Sequence, residues 1–306
     1  MSAVLLALGT MAAVAAIGWV LGRTRALGPG ADGAIARVVF LVAVPALLIV
    51  TVAHADLHLL LSRVALVTVA STSVVVLVSA AILRLALRRP AAETVVGTLA
   101  ASYLNAAHLG IPIAVYLLGD AVAVVPTLLF QLLVLAPVAL TVLDRSRQPG
   151  RRRAGHVLAR SARNPIIRGA VVGLVLAALP WDLPEAVYEP FRLVGAAAAP
   201  LALLAFGMSL AAPRSHEGHM LTPDLALAVV MRSVVHPALA LLLGRALGLE
   251  RPALLAVVTM AALPTAQNVL VYALQYGRGS AVARDAGLVT TVLAFPLMLA
   301  IAAFLS

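Results

Sequence analysis

The 306-residue sequence contains no cysteine and no lysine, and aromatic residues make up only 4% of it. Without cysteine there is no disulfide scaffold of the kind that small secreted proteins use. Charge is scarce as well, at 11%, whereas a soluble domain carries about a quarter charged residues. Low charge with 63% hydrophobic residues and a mean hydropathy of +1.07 also excludes an intrinsically disordered chain. One bilayer crossing takes roughly 20 apolar residues, so the apolar content suffices for about nine or ten crossings. The composition is that of a polytopic membrane protein.

Further absences narrow the function. No P-loop of the G-x4-G-K-[ST] form is present, so the chain does not hydrolyse ATP itself. No H-E-x-x-H metal motif occurs, and the few Ser and His residues form no recognisable nucleophile arrangement. No metal or cofactor is called for. All 22 basic residues are arginine and the net charge is +10. That excess belongs to loops on the cytoplasmic side and not to nucleic-acid binding, because no aromatic-rich basic module accompanies it.

Apolar windows predict ten helical spans, at about 3–22, 34–53, 62–83, 94–117, 122–142, 165–181, 192–211, 223–243, 252–276 and 282–304. Long continuous runs read as helices because lipid requires every backbone group to be satisfied internally. Arg23 and Arg25 follow the first span and no basic residue precedes it, the reverse of a cleavable signal peptide, so this span is expected to be retained. With both termini outside the cell membrane, alternation places 17 arginines inside and four (Arg63, Arg192, Arg245, Arg251) outside, with Arg232 inside span eight. A polar stretch at 144–163, with Arg151-Arg152-Arg153, reads as a cytosolic linker between a first five-helix repeat (1–143) and a second (164–306).

Five spans per half is an odd number, so the halves must be inverted with respect to each other. Pro45-Ala46-Leu47-Leu48 and Pro200-Leu201-Ala202-Leu203-Leu204, and also Gly18 and Gly173, are separated by 155 residues. Pro112 and Pro264 are separated by 152. Inverted repeats of this kind are shared by many secondary transporters.

Spans four and nine carry the polar chemistry. Only three Asn residues exist, Asn105, Asn164 and Asn268, and two of them sit near Pro112 and Pro264. Proline removes an amide donor, and Gly110 loosens the backbone further. Two readings follow: kinks in which Asn joins helices, or two interrupted helices whose ends form a substrate site near the midplane. The symmetry of the pair favours the site.

The strings "YLNAAHLGIPI", "RNPIIRG", "APLALLAFGMSL" and "ALPTAQNVLVYALQYG" closely resemble the auxin efflux carrier family over essentially the whole chain. That family includes PIN-type plant auxin exporters and bacterial permeases associated with malonate and other carboxylates. The resemblance implies an all-α membrane protein of ten helices in two inverted five-helix repeats, with spans four and nine broken at Pro112 and Pro264. It further implies a scaffold from the first two helices of each repeat, a mobile transport domain from the rest, and a homodimer. On that mapping Asn105 and Asn268 would line the site. The candidate substrate-binding residues are Asn105, His108, Gly110, Pro112, Pro264, Thr265, Gln267, Asn268 and Arg232. The chain lacks the long cytosolic loop of the larger plant members. His108 stands where many relatives have a smaller residue.

Arg232 and His236 share one face of span eight. Arg232 is read either as attracting an organic anion or as snorkelling to the interface. His236, next to Pro237, is read as satisfying a freed carbonyl, and His108 as a candidate for proton coupling. Gln131 and Gln275 are read as interhelical glue, and Gly207, Met208 and Ser209 as close-packing residues. No Asp or Glu lies at the centre of a predicted span: Asp32, Glu93, Asp120, Asp224 and Asp285 fall at ends. The leading reading is a secondary transporter for small organic anions such as carboxylates, using alternating access with an elevator-like motion. It leaves open whether a proton or sodium ion is coupled. A channel-like facilitator is the alternative, and an intramembrane enzyme or haem protein using His108 and His236 is a third. None of these readings involves nucleic acid.

Overall fold

The computed structural model describes residues 2–54, 62–147, 164–179, 184–211 and 222–305. Most of the predicted linker, including Arg151, Arg152, Arg153, Arg160 and Arg163, lies outside them, as does Arg214. Among the described residues the chain is helical, with one isolated β-bridge and no strand. The helical segments are α1 (Ser2–Thr24), α2 (Ala31–Ala53), α3 (Arg63–Ala86), α4 (Ala91–Ser102), α5 (Ala106–Leu117) and α6 (Ala121–Ser146). They continue with α7 (Pro165–Ala177), α8 (Glu185–Leu210), α9 (Pro223–Ala246), α10 (Arg251–Ala261), α11 (Gln267–Tyr276) and α12 (Ser280–Leu305). Among the described residues six helices, α2, α3, α6, α8, α9 and α12, are long and apolar enough to cross a membrane by length and composition. Each predicted window overlaps helix, the fourth and ninth as two pieces each.

Prolines recur in these helices without breaking them. Wide turns closed by i→i−5 hydrogen bonds occupy Val39–Ala43, Gln131–Leu135 and Met231–Val235, each ending two residues before Pro45, Pro137 or Pro237. In each case the residue before the proline (Val44, Ala136 or His236) donates its N–H five residues back. Proline has no N–H and crowds the carbonyl four residues earlier, and a widened turn relieves both problems while leaving the ladder continuous. The same device corrects the expectation that span four breaks at Pro112. Another wide turn, Ala106–Gly110, precedes this proline, and Pro112 lies inside α5. The interruption falls earlier, at Tyr103–Asn105.

The chain divides into two compact units. The first contains α1, α2, most of α5, α7 and α8. Its helices approach so closely that glycine is required at the crossings. On the α1–α8 pair, a Cβ at Gly207 would lie 1.9 Å from the Ala15 carbonyl oxygen, and one at Gly18 would lie 2.3 Å from that of Leu204. On the α2–α7 pair, a Cβ at Gly173 would lie 2.9 Å from the Ile49 carbonyl oxygen. A shift of 155 residues carries Gly18 onto Gly173 and Ile49 onto Leu204, so it exchanges the two crossings. Small residues at such contacts let helices associate where lipid removes the hydrophobic drive.

The second unit holds α3, α4, most of α6 and α9 to α12. Its centre is α4, buried on nearly every face from Val96 to Ser102. Around it Leu135 and Leu143 of α6, Ala228 of α9, Ala273 of α11 and Ala286 of α12 form one apolar core. Helices α3 and α9 are each 24 residues long, and α6 and α12 each 26. At one end Arg89 grips Asp224, in the first turn of α9, with two contacts of 2.7 and 3.1 Å. That hydrogen bond and charge push the Arg89 guanidinium above its ordinary range.

Replacing Gly207 by Ala should lower the thermal unfolding midpoint in detergent, by a loss of about 1–3 kcal/mol from overpacking. The control is Gly9→Ala, where nothing lies within 4 Å of the added methyl group; its midpoint should stay level or rise. Equal midpoints for the two variants would contradict the close crossing.

Candidate functional site

Within the second unit the two interruptions meet. Helix α4 stops at Ser102 because Tyr103 turns to an extended conformation (φ −85°, ψ 108°). Leu104 then pairs with Thr265 as a single antiparallel bridge. The Asn105 N–H donates to the Pro264 carbonyl at 2.8 Å, and the Ala266 N–H donates to the Tyr103 carbonyl at 2.9 Å. Thr265 completes the junction. Its Oγ1 donates to the Ala100 carbonyl at 2.6 Å, and its N–H donates to Thr290 Oγ1 of α12 at 3.0 Å. Tyr103, Leu104, Asn105, Leu263, Thr265 and Ala266 are all buried, so backbone groups released from the helices find partners in protein and not in water.

Asn105 lies in this junction, while Asn268 is half-buried in the first turn of α11 and Gln267 beside it is exposed. Tyr103 meets Tyr272 of α11 edge to face at 6.4 Å. Pro264 lies at the break itself, as expected, because the chain there is already extended and needs no amide from it.

Arg232 occupies the wide turn of α9 and is 0% exposed, which overturns the snorkelling alternative. Its Nη2 donates at 2.7 Å to the carbonyl of Ala261, the last residue of α10, and also to His236 Nδ1. Nε2 of His236 lies 3.3 Å from Ser71 Oγ and 3.2 Å from Thr72 Oγ1, both on α3. A guanidinium can only donate, so Nδ1 accepts and the neutral imidazole carries its proton on Nε2. The expectation that His236 satisfies a carbonyl freed by Pro237 is therefore corrected: the wide turn has absorbed that defect, and the ring bridges α9 to α3. Several buried polar atoms find no partner among the described residues, including Arg232 Nε and Nη1, Gln131 Nε2, Thr98 Oγ1 and Thr127 Oγ1.

The nine predicted site residues thus divide. Asn105, Arg232, Pro264, Thr265, Gln267 and Asn268 belong to the second unit, and His108, Gly110 and Pro112, all on α5, belong to the first. His108 is half-buried there.

A family model described as "Membrane transport protein" matches residues 4–153 and 140–302, which together take in nearly the whole chain. The chain belongs to this membrane transport family, that of the auxin efflux carriers. It is also 29% identical over 198 residues to the "Putative malonate transporter" of Rhizobium meliloti (strain 1021). The match takes in 63% of this chain and spans 61% of that relative's length. Family and relative both point to a membrane transporter and not to an enzyme.

Sequence reading of this auxin efflux carrier family member missed the hydroxyl face of α3. Thr68, Ser71, Thr72 and Ser79 are all buried, and their spacing puts them on one side of the helix. That periodicity was available in "TVASTSVVVLVSA". Thr290, which receives the Thr265 amide, carried no comparable signal.

Thr265→Val removes the hydroxyl that meets Ala100 while keeping the shape. It should cost about 1–3 kcal/mol of stability through an unsatisfied buried carbonyl, whereas Thr265→Ser should keep most of it. Thermal unfolding of the two purified variants tests this; equal midpoints would mean that the hydroxyl does not hold the junction.

Proposed function

We propose that this protein is a secondary carrier for small organic anions, carboxylates foremost, that works by alternating access. The observation that carries the reading is the pairing of two interrupted helices at Leu104 and Thr265, in a chain of a membrane transport family. Interrupted helices place polar backbone ends within the membrane, and secondary carriers use such ends as substrate sites. Immediately after the junction α11 begins, and its N-terminal turn presents the positive end of a helix dipole beside Asn268 and Gln267. Arg232 adds a full positive charge to the same unit. An anion with two or three polar oxygens matches this set of donors, and the relative named for malonate supports a short dicarboxylate.

The site is assigned to Asn105, Thr265, Gln267 and Asn268, with Arg232 supplying charge. His108, Gly110 and Pro112 belong to the other unit and receive no contact role. The unit that holds these donors is the one assigned to move, and the unit built on glycine crossings is the scaffold. Support comes from the segregation of the donors into one compact unit. Ten crossings in two inverted five-helix halves, with both termini outside the plasma membrane, complete the reading; the arginine distribution supports the orientation. A homodimer is inferred from the resemblance alone.

Two experiments test the proposal. Proteoliposomes should take up one or more members of a panel of mono- and dicarboxylates and indole acids, with saturation. Asn105→Ala or Asn268→Ala should abolish that uptake at unchanged protein abundance, and normal flux in either variant would sink the site. Tags at both termini should be accessible from outside intact cells; cytosolic labelling of either would overturn the ten-span arrangement.

A further inference from the structure

We propose that the Arg232 guanidinium is a tethered cation, held at the C-terminal end of α10 where a carrier with interrupted helices would otherwise bind a coupling ion. No sodium ion is then bound and released at this end during transport. The inference rests on the carrier reading above and specifies its ion requirement.

The last carbonyls of a helix lack intrahelical donors and together carry about half a negative charge. In carriers built on broken helices, these half-helix ends coordinate Na+ or H+. The second unit contains two such ends beside the Leu104–Thr265 junction, and they are met differently. The end of α4 is met by a neutral group, the Thr265 hydroxyl, at 2.6 Å from the Ala100 carbonyl oxygen. The end of α10 is met by a cation, Arg232 Nη2, at 2.7 Å from the Ala261 carbonyl oxygen.

Arg232 is wholly buried, and among the described residues no carboxylate forms an ion pair with it. Burying an ion costs several kcal/mol unless charge and hydrogen bonds compensate. The compensation visible is the partial negative charge of the α10 terminus and the lone pair of His236 Nδ1. The imidazole is held in turn by Ser71 and Thr72, so three helices fix the guanidinium against one carbonyl end. A side chain kept only for interhelical hydrogen bonding would use its donors, yet Nε and Nη1 have no protein partner among the described residues. What the position uses is the charge. Because arginine stays protonated, this cation does not shuttle a proton either.

The test begins with the wild-type carrier in proteoliposomes and a carboxylate from the panel that it transports. Initial uptake should agree within about twofold in Na+, K+ and choline media of equal ionic strength, with or without an imposed Na+ gradient. Sodium-stimulated uptake would overturn the proposal. Arg232→Gln keeps a donor for Ala261 but removes the charge, and its uptake should fall at least tenfold, with partial recovery in millimolar methylguanidinium or in Na+. Arg232→Lys should retain more uptake than Arg232→Gln. Equal uptake by the two variants, or no recovery with any cation, would reduce Arg232 to a hydrogen-bonding strut. A panel from which nothing is taken up would defeat the carrier reading itself. Thermal unfolding would still decide the present point, because Na+ or methylguanidinium should raise the midpoint of Arg232→Gln and leave that of wild type unchanged. An Arg232→Gln midpoint insensitive to both ions would count against it.

Discussion

A backbone amide or carbonyl inside a membrane has no water to turn to, and most of this structure follows from where such groups find partners. An unbroken helix answers the demand by itself. At Tyr103–Asn105 and Leu263–Ala266 the helices stop, and the released groups answer it through each other, across the Leu104–Thr265 bridge. The Thr265 hydroxyl and Thr290 take up what the bridge leaves over. The two interruptions therefore depend on one another: neither segment could remain extended in an apolar core without the other. Polar ends held in this way are also what a carrier needs, since they present fixed dipoles without exposing a free edge.

Prolines and glycines serve separate ends in this chain. Pro45, Pro137 and Pro237 lie in helices that continue, because each is preceded by a wide turn that takes the strain. Gly18, Gly173 and Gly207 lie where two backbones touch, and any side chain there would collide with a carbonyl. The first unit is thus a packed frame. The polar junction and the buried Arg232 are confined to the second. Rigidity of packing and placement of charge are assigned to different groups of helices.

Arg232 shows how a single residue changes meaning once its neighbours are known. Nine residues into an apolar span, a guanidinium is equally consistent with snorkelling and with a buried role. Only the approach of Ala261 and His236, with Ser71 and Thr72 behind the ring, distinguishes them. His236 changes in the same way, from a group expected to mend a proline defect to a neutral ring that orients a cation.

By itself the sequence determined the class of the protein, from apolar runs of membrane-spanning length, and it marked Asn105, Pro264 and Asn268 as residues at or near the interruptions. These are local properties, set by hydropathy and backbone chemistry over one or two helical turns. It also placed the interruption of span nine at its proline. It misplaced the interruption of span four, because a proline breaks a helix only if the backbone around it cannot widen, and the wide turn before Pro112 depends on packing that no local pattern records. Tertiary structure alone decided that Leu104 pairs with Thr265 and that Arg232 reaches the end of α10. Those contacts join residues more than a hundred, and nearly thirty, positions apart, and they form because buried polar groups must be satisfied by whichever segments the fold brings together.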